Sequence, residues 1–334
     1  MDPRRILIIK PSAIGDVVHT LPMLNLLRRH WTDAHIAWLV TPACAGLLHG
    51  HPQLNEVIEF DRKRLGAGWK RPGRLVELLD FCTQLRRREF DLVLDFQGLF
   101  RSGLLARATD APVRIGFANA REMATFFYTR LVPIDTPEQH AIDRYRQLLD
   151  SIGCETGPVN YVFPTDSADR AHVATQLGSI DKFAVLLPGT NWTTKRWPVE
   201  KFAAMVEPLR RQFGLASVLA GGPGDVELAR QIPADLDLVD RTNLRQLVAL
   251  LERASVVIAN DSGPMHIAAA LGRPMVVPFG PTNPVRTGPY QLPQSVIRLD
   301  LPCSPCYSRR CSHQSCMQWI DPKMLVDQIR QMLP

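Results

Sequence analysis

Three segments in the second half of the chain place glycines and polar side chains directly after an apolar run. They are LLPGTNWTTKRWP (186–198), LAGGPGDVELA (219–229) and VVIANDSGPMHIAAALGRPMVVPFG (256–280). Each is typical of a buried strand that ends in a turn before a helix, and a helix N-terminus attracts anions, usually phosphate, through its free N–H groups and its dipole. We therefore expect the three turns to form one binding site for a nucleotide diphosphate.

The polar residues of these turns have complementary chemistry. Lys195 can neutralise the negative charge that builds up on a departing diphosphate. Asp225 or Glu227 can accept hydrogen bonds from ribose hydroxyls, and Asp261 can cap the following helix or bind sugar hydroxyls. Each pattern also has a purely structural interpretation, because loop lysines are usually solvated, glycine-rich turns are common, and His266 can be a satisfied core histidine.

An acidic turn near the start of the chain, KPSAIGDVVHTLP (10–22), differs from the other three. It has neither the three spaced glycines of a dinucleotide-binding turn nor the Gly-Lys-Ser/Thr of a Walker loop. Because Asp16 would repel phosphate, we expect it to face the sugar end of a nucleotide-sugar, where it can take a proton from an attacking hydroxyl. A helix cap is the structural alternative. Pro22 requires that this helix is kinked or begins near Thr20.

Two series of apolar runs alternate with helical segments and must position these turns. The first series is RILIIK (5–10), HIAWLV (35–40), EVIEF (56–60), DLVLDF (91–96) and VRIGF (113–117). The second is FAVLLPG (183–189), LASVLAGG (215–222), LDLVD (236–240), SVVIAND (255–261) and MVVPFG (275–280). Such runs indicate parallel strands buried on both faces. The sequence therefore predicts an α/β fold with two doubly wound domains facing across a cleft, which ligands enter at the carboxyl ends of the strands.

Three of the segments, taken together, resemble a known family. SAIGDVVHTLP, GTNWTTKRWP and NDSGPMHIAAALGRP, in this order and at this separation, are similar to the ADP-heptose:lipopolysaccharide heptosyltransferases of glycosyltransferase family nine. The resemblance spans nearly the whole chain. It implies a GT-B architecture, with a Rossmann-like acceptor-binding domain at residues 1–158 and a Rossmann-like nucleotide-sugar-binding domain at residues 159–334. The last helix is expected to pack back on the N-terminal domain.

The resemblance also implies the reaction and its place. The expected activity is an inverting, metal-independent transfer of heptose from ADP-heptose to the lipopolysaccharide inner core, with no cofactor required for catalysis. The expected localisation is cytoplasmic, at the cytoplasmic face of the inner membrane, which the enzyme would contact peripherally.

The same resemblance assigns roles to individual residues. It makes Asp16 the catalytic base and Lys195 the contact to the donor phosphates, with Thr190 and Asn191 nearby. The other donor-binding assignments are Asp225 at the ribose, Thr242 at the adenine, and Asp261, Ser262, Gly263 and His266 in the turn that holds the donor. Ala13 and Asn191 depart from the family pattern, because some relatives have a hydroxyl side chain at these positions.

A basic segment precedes the fourth apolar run. Residues 62–74 contain six cations and no acid. We expect Arg62, Lys63 and Arg64 to bind the anionic acceptor, in a lid that docks lipid at the membrane surface. An ordinary solvated loop is the alternative. Nucleic-acid binding is disfavoured, because basic residues are interspersed with acids instead of forming one extended stripe.

Four of the seven cysteines crowd into the segment CSPCYSRRCSHQSC, as Cys303, Cys306, Cys311 and Cys316. A C-x2-C pair with two further thiols in reach suits tetrahedral zinc or iron. The spacing is tighter than in the usual two-knuckle site, so reduced structural thiols are the alternative. A metal bound here would be structural, because the segment is far in sequence from the proposed chemistry.

Composition limits the remaining possibilities. With 46% apolar and 22% charged residues, the 334-residue chain is typical of a soluble protein of two domains. Its start, MDPRRILIIKP, is broken too early for a signal peptide, and an odd number of cysteines argues against a secreted disulfide framework. The formal charge of +6 permits an anionic partner.

Rival functions stay open from the residues alone. One is a transferase of the same fold with another nucleotide-sugar or acceptor, and another is a non-catalytic regulator that binds a nucleotide-sugar. A sugar-nucleotide epimerase would need acid and base groups on both faces of the sugar, and only Asp16 can be named.

Overall fold

The structure is a computed structural model that describes residues 2–61, 72–134, 136, 138–155 and 157–333. The chain divides into two compact units, Met1–Pro164 and Thr165–Pro334. The division between the units lies later than residue 158, the last residue of the expected N-terminal domain, because the segment after it is hydrogen-bonded to side chains of the first unit. The side-chain amide of Asn25 donates to the carbonyl of Asn160, and His51 Nε2 lies 3.0 Å from the carbonyl oxygen of Val162.

The first unit is a doubly wound parallel sheet. Its strands are β1 (Arg5–Ile9), β2 (His35–Val40), β3 (Glu56–Glu59), β4 (Leu92–Asp95), β5 (Val113–Phe117) and β6 (Arg130–Val132). Its helices are α1 (Ile14–His30), α2 (Pro42–Ala45), α3 (Pro72–Arg86), α4 (Phe100–Ala108) and α5 (Ala141–Asp150), with a 3-10 helix at Ala124–Phe127. The strands lie in the order β3-β2-β1-β4-β5-β6, which is the Rossmann order.

The second unit repeats this architecture. Its strands are β7 (Phe183–Leu187), β8 (Ala216–Leu219), β9 (Leu236–Asp237), β10 (Val256–Ala259), β11 (Met275–Phe279) and β12 (Val296–Arg298). Its helices are α6 (Ser167–Leu177), α7 (Val199–Phe213), α8 (Val226–Ala229), α9 (Leu244–Arg253), α10 (Gly263–Ala270), α11 (Pro284–Thr287), α12 (Ser315–Gln318) and α13 (Pro322–Met332). Further 3-10 helices lie at Thr193–Lys195, Pro223–Asp225 and Pro293–Ser295. The order β12-β11-β10-β7-β8-β9 is the Rossmann order read from the opposite edge.

Burial on both faces explains the unbroken apolar runs. Every residue from Ile6 to Ile9 in β1 and from Phe183 to Leu187 in β7 is buried. The predicted parallel strands are therefore confirmed. The sequence missed β6 and β12, which are edge strands of three residues with too few apolar side chains to form a run.

The first helix, α1, positions the proposed base, whereas the last helix, α13, belongs to the core of the second unit. α1 begins at Ile14 and continues through Pro22, so the alternative start near Thr20 is wrong. This start places Asp16 in the first turn, where the helix dipole favours a carboxylate. α13 contributes Leu325 and Ile329 to the core of the second unit, together with Phe202 of α7. A contact of α13 with the first unit stays a prediction.

None of the helices in the described part of the chain is long and apolar enough to cross a membrane.

His51 makes the stability of the first unit depend on pH. Burial lowers the pKa of His51 from 6.5 to about 4, although the hydrogen bond to Val162 opposes this shift. Between pH 6.5 and about pH 4, His51 therefore binds a proton in the unfolded chain but not in the folded protein. The free energy of unfolding should fall by on the order of 3 kcal/mol as the pH is lowered through this window.

The measurement is urea unfolding between pH 7 and pH 4. His51→Gln keeps a donor for the Val162 carbonyl and should remove this part of the pH dependence. His49→Gln, at an exposed neighbouring histidine, should leave it in place. A His51→Gln profile that follows the wild type would show that other groups cause the dependence.

Candidate functional site

Asp16 lies in the first turn of α1, and both of its carboxylate oxygens have partners. Oδ2 accepts a hydrogen bond of 3.2 Å from the backbone N–H of Ala13. Oδ1 accepts one of 3.3 Å from the Tyr145 hydroxyl and lies 3.4 Å from Lys10 Nζ. The side chain is nevertheless 44% exposed. The helix-cap alternative and the base hypothesis are therefore compatible, because one oxygen caps the helix while the exposed carboxylate stays accessible to a proton.

Two buried residues contact Asp16: Lys10 is a cation, and Tyr145 is a neutral hydrogen-bond donor. Burial by itself would lower the pKa of Lys10, but Asp16 and Tyr145 outweigh it and raise that pKa, so Lys10 stays charged. Its ammonium also donates to the carbonyl of Phe96 at 3.1 Å. Burial raises the pKa of Tyr145, against the opposing effect of Lys10, so its hydroxyl keeps the proton that it donates.

In the second unit, Asp261 joins two of the predicted turns. Its Oδ2 lies 2.7 Å from Lys195 Nζ and accepts a hydrogen bond of 2.6 Å from the Thr282 hydroxyl. Its backbone carbonyl accepts one of 2.9 Å from the Thr190 hydroxyl. The ion pair is mostly buried, with 16% of Lys195 and 6% of Asp261 exposed. The pair holds a cation at the carboxyl end of the sheet, and the contact of Lys195 with a donor diphosphate stays a prediction.

The N-terminus of α10 presents an unused hydroxyl. Ser262 is the N-cap residue, yet its side chain makes no capping bond. Its Oγ is buried and has no hydrogen-bond partner among the described residues. Leaving a hydroxyl unpaired in this way costs free energy, and the first N–H groups of a helix also lack partners within the helix. Such a helix start suits an anion, and the donor-binding roles of Ser262 and Gly263 stay predictions, as does that of His266, which is buried.

Asp225 packs against the glycines of two turns. A Cβ on Gly189 would lie 2.2 Å from Asp225 Oδ1, and one on Gly221 would lie 2.7 Å from Oδ2. The carboxylate also accepts a hydrogen bond of 3.0 Å from Gly222 N–H. Gly189 and Gly221 therefore leave room for the Asp225 carboxylate at the carboxyl ends of the strands.

The other two predicted donor residues lie at the margins of this group. Thr242 is half-buried and lies two residues after Asp240, whose N–H donates to the Gly221 carbonyl at 3.1 Å. Asn191 is exposed beside Thr190. The donor roles of both residues stay predictions.

Further contacts that sequence reasoning missed fix the lysine turn. Asn260 accepts from Trp197 N–H at 2.9 Å and donates to the Pro188 carbonyl at 2.7 Å. The Trp192 ring lies below two cations, with Lys195 Nζ 4.7 Å and Arg309 Cζ 4.5 Å from its centroid. Arg309 belongs to the cysteine-bearing segment, whose Ser308 carbonyl also accepts from the Thr194 hydroxyl at 2.8 Å. The cysteine segment thus helps to build the lysine turn.

The four cysteines of this segment are free thiols. Burial raises the pKa of Cys316, and the neighbouring Cys306, Cys311 and Cys303 raise it further. The thiols are therefore within electrostatic range of one another. In the part of the chain that the structure describes, however, no three His, Cys, Asp or Glu side chains are arranged to hold a metal ion, so the predicted metal site is not supported.

The proposed acceptor residues Arg62, Lys63 and Arg64 lie outside the described residues. Their role stays a prediction.

Gly189→Ala tests whether Asp225 belongs to the nucleotide site. The added Cβ would displace the carboxylate, and we expect the Kd for ADP, measured by calorimetry, to rise by roughly tenfold or more. Gly222→Ala is the matched control, because a Cβ there meets nothing within 4 Å. Equal affinities of the two variants for ADP would remove Asp225 from the site.

Comparisons with known proteins agree with this geometry. The model for glycosyltransferase family 9 (heptosyltransferase) matches residues 78–317. Lipopolysaccharide heptosyltransferase 1 of Pseudomonas aeruginosa is 32% identical over 319 residues, which cover 93% of this chain and 88% of that protein.

Solved structures give the same result. E. coli heptosyltransferase WaaC with ADP matches with a TM-score of 0.78 at 28% identity, covering 98% of this chain and 99% of that one. E. coli ADP-heptose lps heptosyltransferase II matches with a TM-score of 0.79 at 23% identity over 98% of both chains, which supports the fold alone. The fold is that of a GT-B enzyme, and the chain belongs to glycosyltransferase family 9.

Proposed function

We propose that this glycosyltransferase moves heptose from ADP-heptose to the lipopolysaccharide inner core, with inversion at the anomeric carbon. The names of its relatives support the reaction, since they include a lipopolysaccharide heptosyltransferase and a heptosyltransferase solved with ADP. The observation that carries the mechanism is the environment of Asp16. A carboxylate that is oriented by Ala13, Tyr145 and Lys10, and still 44% exposed, suits a general base.

The proposed step is a single displacement. The acceptor hydroxyl gives its proton to the Asp16 carboxylate while its oxygen forms a bond to the anomeric carbon. The bond from that carbon to the β-phosphate oxygen breaks, and ADP departs with the bonding electrons. Lys195 and the N-terminus of α10 stabilise the departing charge. ADP leaves as a stable anion, so this step needs no general acid.

A lipid-linked, anionic acceptor would bring the enzyme to the cytoplasmic face of the inner membrane. The run of cations from Arg62 to Arg74 supports such a contact through its composition.

A donor screen by mass spectrometry tests the reaction. We expect transfer from ADP-heptose to a heptose-free lipopolysaccharide acceptor, and little or none from other ADP-sugars or UDP-sugars. Preference for another donor would keep the enzyme class and refute the heptose. Binding of an ADP-sugar without release of ADP, in the presence of any acceptor, would indicate the non-catalytic regulator.

Asp16→Asn tests the base. The amide keeps the shape of the side chain but cannot take the proton, so kcat should fall by about 10² to 10⁴ while donor affinity stays nearly unchanged. Asp33→Asn, at an exposed acid on the loop after α1, should behave like the wild type. A variant at position 16 that turns over at the wild-type rate would exclude the role.

Metal analysis of protein purified without chelator tests the cysteine hypothesis from the sequence. A structural site predicts about one zinc or iron ion per chain. Metal-free protein with Cys303, Cys306, Cys311 and Cys316 all reactive as thiols would refute it and leave reduced structural cysteines.

A further inference from the structure

An exposed apolar surface lies on the first unit, where α4 meets the 3-10 helix at Ala124–Phe127. It consists of large side chains that face solvent instead of the core: Phe100 and Leu104 of α4, and Met123 and Phe126 at the 3-10 helix. Phe126 is 82% exposed and Met123 is 64% exposed. Single apolar side chains are common on protein surfaces, whereas a group of large ones indicates an interaction site.

These side chains form one surface because the 3-10 helix packs directly on α4. The rings of Phe100 and Phe127 meet edge to face, with their centroids 5.3 Å apart. A Cβ on Gly103 would lie 2.8 Å from the Phe127 ring and 3.1 Å from the Ala124 carbonyl oxygen. The glycine therefore permits the close approach that places the exposed residues of both helices side by side.

The turn that leads into the 3-10 helix has a strained backbone. Glu122 and Met123 both lie in the left-handed region, with φ of 56° and 60°. Residues with a Cβ rarely adopt this conformation, and such strain is concentrated at functional sites. Here the strained turn presents Met123 to solvent, so it contributes no burial to the core of the first unit.

The charges around the apolar surface are mainly positive. Residues 100–131 contain five arginines and two acids. The acids have partners, because Asp110 is held in ion pairs and Glu122 accepts a hydrogen bond from a backbone N–H of α4. Arg101 and Arg121 are exposed and form no ion pair with any residue that the structure describes. The surface therefore combines exposed apolar groups with uncompensated cations.

An anionic bilayer suits this combination better than a second copy of the chain. A second copy would bring the same unpaired arginines together across a two-fold axis, where like charges repel. At a membrane, apolar side chains can enter the boundary between headgroups and acyl chains while the guanidinium groups stay at the anionic headgroups.

The surface is also close to the proposed base. The Phe96 carbonyl accepts a hydrogen bond from Lys10, the buried cation next to Asp16. Phe100 follows Phe96 by four residues, a length of chain that spans at most about 14 Å. A bilayer bound at this surface would therefore hold the Asp16 turn near the headgroups, where the sugars of a lipid-linked acceptor lie.

We propose that the apolar surface of Phe100, Leu104, Met123 and Phe126 inserts into the interface of a bilayer that contains anionic lipids. The inference rests on the proposed function, because this orientation serves an acceptor whose lipid part lies in the same bilayer. It is separate from the expectation for residues 62–74, since it assigns a mainly apolar surface and involves no contact with the acceptor itself.

Co-sedimentation with vesicles tests the surface. Wild-type protein should bind vesicles of phosphatidylglycerol and phosphatidylethanolamine, and should bind phosphatidylcholine vesicles more weakly. A double variant with Met123→Ser and Phe126→Ser should bind the anionic vesicles roughly 10- to 100-fold more weakly, because its side chains no longer enter the apolar boundary. Its melting temperature should stay unchanged, since both residues are already exposed. Trp319→Ser, at a tryptophan of the second unit that is 63% exposed, is the matched control and should bind like the wild type.

A second pair of substitutions tests the charge. Arg101→Gln together with Arg121→Gln should weaken binding to the anionic vesicles by about fivefold per arginine and leave binding to phosphatidylcholine unchanged. Equal binding of the wild type and the Met123→Ser, Phe126→Ser variant would overturn the proposal. A wild type that binds no vesicles would also overturn it, and a dimer that is lost in this variant would then assign the surface to a second copy.

Transfer assays separate this inference from the proposed function. The Met123→Ser, Phe126→Ser variant should keep its kcat and KM on a deacylated, soluble acceptor and lose rate on an acceptor embedded in anionic vesicles. Equal rates of the variant and the wild type on the embedded acceptor would overturn the proposal and leave the function intact. A protein that transfers no sugar at all, yet loses vesicle binding in the variant, would refute the function and leave the surface intact.

Discussion

The structure around the proposed base depends on one constraint: a carboxylate must stay charged and oriented while remaining open to solvent. Asp16 meets it through its place in the first turn of α1, where the helix dipole favours a negative charge. Lys10 and Tyr145 then hold Oδ1 from the interior side, and the Ala13 N–H holds Oδ2. Lys10 and Tyr145 are buried and the carboxylate is 44% exposed, so the contacts that orient Asp16 do not block access to it.

In the second unit the signs are exchanged, because there a carboxylate holds a cation in place. Lys195 is a mostly buried cation that is held by Asp261, which is itself fixed by Thr282. The pair prevents an isolated buried charge, which would be costly. In the proposed complex, a donor diphosphate would meet a lysine that is already positioned, together with a Ser262 hydroxyl that has no hydrogen-bond partner among the described residues. In both units, the carboxyl ends of parallel strands bring the charged residues together, as expected for this type of sheet.

Much of this could be predicted because the signals are local. Unbroken apolar runs revealed the central strands, and a glycine or an acid after each run located Asp16, Lys195, Asp225 and Asp261. The three-residue strands β6 and β12 gave no such signal. Pro22 left the start of α1 open, because a local rule allowed either a kinked helix or a start near Thr20, and only the structure shows that the helix begins at Ile14 and continues through the proline.

The residues that orient the site were missed for a different reason. Tyr145 is far from Asp16 in sequence, and Arg309 is far from Trp192, so only the folded chain brings them together. Lys10 carries a local signal, because a lysine that directly follows four buried apolar residues of a strand needs a partner if it is buried as well. The cysteine spacing, in contrast, suggested a metal cage that the described residues do not form.

A crystal structure with acceptor and an unreactive ADP-heptose analogue tests the central claim most directly. The account predicts an Asp16 oxygen at about 2.6 to 3.2 Å from the attacking hydroxyl, which in turn faces the anomeric carbon. A carboxylate that contacts only Ala13, Lys10 and Tyr145, with the hydroxyl bound elsewhere, would contradict it.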